Sequence, residues 1–315
     1  MYEGFYGLRE LPFELTPNPR FLCLTPSQRE ALSNLEYGLS TAKAVTVVVG
    51  EAGTGKTSLI GAAVSSERCR GVSCVHVNNP TLTRDEFVQI LARSFRLTAR
   101  AAESKAVLLG ELEAVLRERR AAGEITALVV DEAQSLSDEL LEEIRLLANI
   151  ETPTQKLLPL VLSGQPELAP RLDEPQLRQL KQRVALRCSI EALSLQETAA
   201  YVASRIRTAG GEPAQLFSRE AVTLIHEYSG GIPRTVNVMC DNALVNGFAL
   251  GRKPVDQAIV LDVCRDFELT RRPARAASPE DAAHADVVID RAVGETGDGG
   301  AARPRRFTLF NSRRP

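Results

Sequence analysis

With 315 residues and a formal net charge of −2, the chain as a whole exerts no electrostatic pull on nucleic acid or anionic lipid. Its 44% hydrophobic and 25% charged residues exclude a disordered or fibrous protein and suffice for one large domain or two modest ones. No window approaches the ~18 uninterrupted apolar residues of a membrane helix, and residues 1–9 lack the apolar core of a secretory leader, so no integral membrane segment and a cytoplasmic location are expected. The six cysteines form no C-x-x-C pair and read as reduced, structural thiols.

Residues 1–26 concentrate Phe and Tyr and hold four prolines, the composition of an extended arm that orders only by packing on a body. Ser27, with Glu30 three positions on, reads as the cap of a helix running to about Ala42. The β-branched run Ala44–Val49 reads as a buried parallel strand. It leads into Gly50-Glu51-Ala52-Gly53-Thr54-Gly55-Lys56-Thr57, which matches G-x-x-x-x-G-K-[ST] at every fixed position. A helix follows, Ser58–Ser66. In such a setting glycines let the loop turn its N–H groups toward an anion, and the helix N-terminus adds partial positive charge. Lys56 can then reach β- and γ-phosphates, and the Thr57 hydroxyl is suited to Mg²⁺. Nucleotide binding by residues 50–58 is therefore expected.

Further strands are expected at Val72–Val77, Thr126–Val130, Leu157–Leu162 and Val184–Ile190. They alternate with helices at Arg84–Phe95, Lys105–Ala121, Asp138–Asn149 and Glu174–Gln182, the pattern of a parallel sheet covered on both faces. The second strand ends at Asn78-Asn79, where an amide could hold back a neighbouring carboxylate; Asn79 is the candidate. The third ends in Asp131-Glu132, about seventy-five residues after the phosphate loop. Asp131 is suited to hold Mg²⁺ and Glu132 to polarise an attacking water. Ser163, after the fourth strand, is a candidate to orient that water or touch the γ-phosphate. Arg183, just before the fifth strand, is a candidate to stabilise transition-state charge on a neighbouring subunit's nucleotide, with Arg178 as competitor.

From Ser194 the strand pattern stops. Ser194–Thr208, Ser218–Tyr228, Pro233–Leu250 and Val255–Glu268 read as helices, the first opened by a Ser194/Glu197 capping box. Arg234 follows Gly230-Gly231-Ile232-Pro233, a tight turn that can aim it at the nucleotide. After about Thr270 no period survives, and the Ala-, Arg-, Pro- and Gly-rich tail, residues 270–315, reads as disordered with a basic end. The expected organisation is an arm (1–26), a nucleotide-binding α/β domain (27–192), a small all-helical lid (193–269) and the tail.

In this order, phosphate loop, Asp-Glu strand, Ser163, Arg183, Arg234 and helical lid resemble an AAA+ ATPase, that is, a P-loop NTPase with a five-stranded parallel sheet flanked by helices. The match narrows with Tyr2-Glu3-Gly4-Phe5-Tyr6-Gly7-Leu8, Pro12-Phe13, Thr16-Pro17-Asn18-Pro19-Arg20-Phe21-Leu22, Asp131-Glu132-Ala133-Gln134 and Gly164-Gln165-Pro166-Glu167-Leu168. These segments resemble the family of general secretion pathway protein A (ExeA-like). The family also includes MshM and ATPases associated with exopolysaccharide and exosortase systems. The resemblance implies Mg²⁺-dependent ATP hydrolysis, homo-oligomerisation with Arg183 acting in trans, and an arm near the adenine. It also implies partners among envelope or inner-membrane assembly proteins, placing the protein peripherally at that membrane. Two departures are Asn18, where the family commonly has Asp, and Gln28, where relatives often have His. Two other readings remain open: an ATP-dependent nucleic-acid-binding regulator of the transposition or replication-initiator type, and a nucleotide switch that assembles without catalysis.

Overall fold

Residues 1–16, 18–78 and 82–271 are described by the structure, a computed structural model. Five strands, β1 (Val45–Gly50), β2 (Val72–Val77), β3 (Ile125–Val130), β4 (Leu160–Gly164) and β5 (Val184–Ile190), form one sheet in the order β2-β3-β4-β1-β5. All pairings are parallel. The three inner strands are buried along their whole length, which is why they read as continuous apolar runs rather than alternating ones. The edge strands β2 and β5 carry exposed residues.

The helices in chain order are α1 (Glu3–Tyr6), α2 (Pro26–Ser40), α3 (Lys56–Val64), α4 (Arg84–Ser94), α5 (Ala99–Glu103), α6 (Lys105–Ala121), α7 (Asp138–Leu147), α8 (Leu168–Leu172) and α9 (Arg178–Lys181), then α10 (Leu195–Thr208), α11 (Pro213–Leu216), α12 (Arg219–Ser229), α13 (Pro233–Ala249) and α14 (Gln257–Asp266). One sheet face is covered by α2 and α3 through Leu35, Leu39, Leu59 and Ile60. The other packs on α4, α6 and α7 through Phe87, Leu112 and Ile144. Truncating such a fully buried Leu or Ile to Ala costs about 2–5 kcal/mol.

The helices from α10 onward share a separate apolar cluster, and the N-terminal arm belongs to it: Tyr2, Tyr6, Phe13 and Phe21 are buried there. Phe13 meets Phe217 edge-on, with ring centres 6.1 Å apart. Arg205 of α10 is buried and donates through Nε to the Pro12 carbonyl at 2.5 Å and through a terminal nitrogen to the Glu14 carbonyl at 3.2 Å. Its guanidinium also lies 4.9 Å from the Phe21 ring centre. The arm is thus fastened to the helices while α2, which follows directly, packs on the sheet.

Several expectations are corrected. The arm is not simply extended, since it contains α1 and a 3₁₀ turn at Pro19–Phe21. Thr25, not Ser27, caps α2, in a reciprocal capping box with Gln28, because Pro26 has no N–H to lose and its fixed φ suits the first helical position. The helix after the phosphate loop starts at Lys56 rather than Ser58. The fourth strand runs three residues later than Leu157. The Glu174–Gln182 helix is a 3₁₀ turn followed by the single turn α9. Helices α5, α8 and α11, of four or five residues each, are too short for their period to show in the sequence. The Ser194/Glu197 capping box is present as expected. The tail beyond residue 271 lies outside the described residues, as do Pro17 and Asn79.

Candidate active site

Because β4 lies between β1 and β3, the loop after β1, the carboxylates after β3 and the polar end of β4 share one edge of the sheet, outside the strands' carboxyl ends. Parallel α/β sheets place ligands there. The loop curls through Gly53 (φ +84°) and Gly55 (φ +94°), angles that side chains other than glycine's rarely permit. The amides of Gly53, Gly55, Lys56 and Thr57 take no backbone acceptor among the described residues. Thr54 is spent internally, its amide and hydroxyl both on the Glu51 carbonyl at 3.3 and 2.8 Å. The Lys56 ammonium is buried and donates to the carbonyls of Gly50 at 2.8 Å and Glu51 at 3.1 Å. Free amides, a helix N-terminus and an ammonium converging on a glycine-lined loop suit a phosphate chain.

Thr57 stands in the first turn of α3, and its hydroxyl donates to Asp131 Oδ2 at 2.7 Å. The two hard oxygen ligands expected to hold Mg²⁺ are therefore in contact, although 74 residues apart in sequence. Glu132 adopts a left-handed conformation (φ +52°), and its amide donates to Asp131 Oδ1 at 3.0 Å. Its carboxylate turns toward β4, where Oε2 accepts from Gln134 Nε2 at 2.6 Å and Gln165 Nε2 at 3.3 Å. These glutamines are the amides that the described residues place on Glu132; Asn79 lies outside those residues. Neither glutamine was singled out from the sequence, although both stand in the Asp131–Gln134 and Gly164–Leu168 segments that carry the resemblance.

Ser163 is fully buried, and its hydroxyl has no hydrogen-bond partner among the described residues. It shares a strand face with Val161, which belongs to the cluster packed on α3, so it lies on the side of the sheet covered by the phosphate-loop helix. Arg234, at the start of α13, meets the loop directly: its amide donates to the Gly53 carbonyl at 3.2 Å. Its exposed guanidinium has no ion-pair or hydrogen-bond partner among the described residues. Arg183 is elsewhere. It precedes the first residue of β5, Val184, which pairs with Val45, whereas the loop begins where Gly50 pairs with Ile190 at the opposite end. The strand's length, about 20 Å, separates Arg183 from the loop of its own chain, and Arg178 and Lys181 in α9 share that distant end.

Against this geometry stand the likenesses to known proteins. A family model described as an AAA domain matches residues 40–172. Over 251 residues the chain is 38% identical to general secretion pathway protein A of Aeromonas hydrophila, a match covering 80% of this chain and 46% of that protein. Residues 40–172 thus match an AAA domain, and the chain is related over 251 residues to general secretion pathway protein A. It spans less than half the length of that relative. Among solved structures, the Aeropyrum pernix ORC2 protein in its ADPNP–ADP complexes superposes with a TM-score of 0.60 at 18% identity, covering 83% of this chain and 72% of that one. Drosophila ORC bound to DNA gives a TM-score of 0.61 at 20% identity, covering 86% and 66%. At such identities the likeness is one of fold, here a five-stranded parallel sheet flanked by helices and followed by further helices.

The cysteines offer little further chemistry. All six cysteines are free, and burial pushes the Cys74, Cys188 and Cys264 thiols up to about 11, which leaves little thiolate at neutral pH. Among the described residues no group of three or more His, Cys, Asp or Glu side chains could hold a metal, and no helix is long and apolar enough to cross a membrane.

Proposed function

We propose that this protein binds and hydrolyses ATP with Mg²⁺, and that hydrolysis drives the assembly or operation of a cell-envelope export system from the cytoplasmic side of the inner membrane. The observation that carries the catalytic part is the 2.7 Å contact between Thr57 and Asp131, with Glu132 presented by the next residue. In this reading the loop residues from Gly50 to Ser58 cradle the phosphates, and Lys56 exchanges its two carbonyl contacts for phosphate oxygens. Thr57 and Asp131 hold Mg²⁺, which when bound neutralises charge on the β- and γ-phosphates. Glu132 takes the proton of the attacking water. The unpartnered hydroxyl of Ser163 senses or orients at the γ-phosphate, and Arg234 brings positive charge from the lid. With Arg183 at the far end of β5, it can serve a nucleotide only on another copy of the chain, so the active form is a homo-oligomer. The export assignment, with envelope or inner-membrane assembly proteins as partners, is supported by the name of the secretion-pathway relative.

The test is ATPase rate against protein concentration, with and without DNA, for the wild type and Glu132→Gln. The expected result is a rate that rises more than proportionally with concentration, ignores DNA and falls to a small but measurable residual in Glu132→Gln while ATP binding survives. Full turnover in that variant would remove Glu132 from the chemistry. Strong stimulation by DNA would replace the export role with nucleic-acid handling.

A further inference from the structure

Two glutamines meet the carboxylate assigned to water activation, and neither has a role in the reading above. Gln134 is held at both ends. Its carbonyl accepts from Arg171 at 2.8 Å, and a second nitrogen of Arg171 pairs with Asp138 at 2.7 Å. Its side-chain oxygen accepts the Gln165 amide N–H at 2.9 Å, while its side-chain nitrogen donates to Glu132 Oε2 at 2.6 Å. Only one orientation of the amide satisfies both contacts, since the backbone N–H requires an oxygen and the carboxylate requires a donor. The space for this bridge depends on Gly164, where an added Cβ would stand 2.8 Å from the Gln134 side-chain oxygen.

The consequence is an unequal carboxylate. Oε2 of Glu132 takes both amide donors, from Gln134 and Gln165, and Oε1 takes no hydrogen bond from the described residues. One oxygen is anchored to the end of β4 and the other is left for the proton of a water. We propose that Gln134 is a positioning residue for Glu132, orienting its free oxygen for water activation through a bridge to the backbone of Gln165. This rests on the ATP-hydrolysis reading, in which Glu132 is the base. A base about 1 Å out of place loses on the order of 100-fold in rate.

The test uses the full chain and compares Gln134→Met, which removes both polar contacts at similar volume, with Gln134→Glu, which keeps the acceptor for Gln165 but opposes a carboxylate to Glu132. For each, kcat and KM for ATP are measured, together with direct ATP affinity as a check on folding. The expected result is a fall in kcat of about 10- to 100-fold with KM and ATP affinity unchanged. The Glu132→Gln/Gln134→Met double variant should be no slower than Glu132→Gln alone, because Gln134 acts only through that carboxylate. A merely structural role would lower ATP affinity or reduce the residual rate further in the double variant, and either result overturns the proposal. So does a wild-type or raised kcat in both single variants. If wild type itself fails to hydrolyse ATP, the failure belongs to the proposed function, whereas active wild type with an inert Gln134 refutes the positioning role alone.

Discussion

The turn that carries Arg234 to the phosphate loop is expected to be intolerant of a single methyl group. Gly231 lies at φ +71°, and a Cβ there would stand 2.0 Å from the Leu193 carbonyl oxygen, a backbone atom that no rotamer change can remove. The two residues are also joined by a hydrogen bond from the Leu193 amide to the Gly231 carbonyl at 2.9 Å, at the point where the chain passes from sheet to helices. Gly123, in the turn before β3, provides the comparison: its φ is +83°, but an added Cβ would meet nothing within 4 Å. Gly123→Ala should therefore report only the left-handed penalty of about 1–2 kcal/mol, reduced by the entropy the unfolded chain loses. Gly231→Ala adds overpacking and the displaced hydrogen bond, so it should be worse by about 2–4 kcal/mol. The chain has no Trp, so unfolding in guanidinium chloride is best followed by far-UV circular dichroism. ATP affinity should fall in Gly231→Ala and hold in Gly123→Ala, since only the former displaces Arg234. Equal destabilisation by the two substitutions would refute the reasoning.

Lys56→Ala removes a charged donor now resting on two loop carbonyls, and ATP affinity, read by calorimetry, should weaken by about 10- to 100-fold. Arg205→Met keeps the apolar stem but strands the Pro12 and Glu14 carbonyls. A loss of about 2–4 kcal/mol is expected, with rapid proteolytic cleavage in the arm; an arm that stays protected would show that the aromatic contacts alone hold it. Burial holds His226 below its ordinary value of 6.5, so the unfolded chain takes up the proton first as pH falls. His226 therefore subtracts nothing above 6.5 and lowers stability progressively as pH drops below it. His226→Gln should flatten the loss of stability between pH 7 and 5, and an unchanged slope would assign that loss to other groups.

Local order was written plainly in the chain. The strand β2 and the helix α6 occupy the residues their patterns indicate, because a short run holding Val72, Val75 and Val77 and a sustained 3.6-residue period leave marks within a few residues. The phosphate loop was equally legible, since its glycine angles and its lysine all belong to one continuous stretch. Thr25 as cap of α2 could have been read as well, from Pro26 behind it. Short elements such as α5 and α8 could not, because one turn of helix is held by its neighbours rather than by its own sequence.

By itself, then, the sequence determined the longer strands and helices and the glycine-rich turn between β1 and α3, for those properties follow from near neighbours along the backbone. Only the tertiary structure decided what stands beside what. It inserted β4 between β1 and β3, set Thr57 against Asp131, and closed Gln134 and Gln165 on Glu132. It also joined the arm to the lid helices and carried Arg183 to the far end of β5 from its own loop. Strand order and core membership are settled by which apolar faces cover one another across long sequence separations, and periodicity along one segment holds no information about its partner.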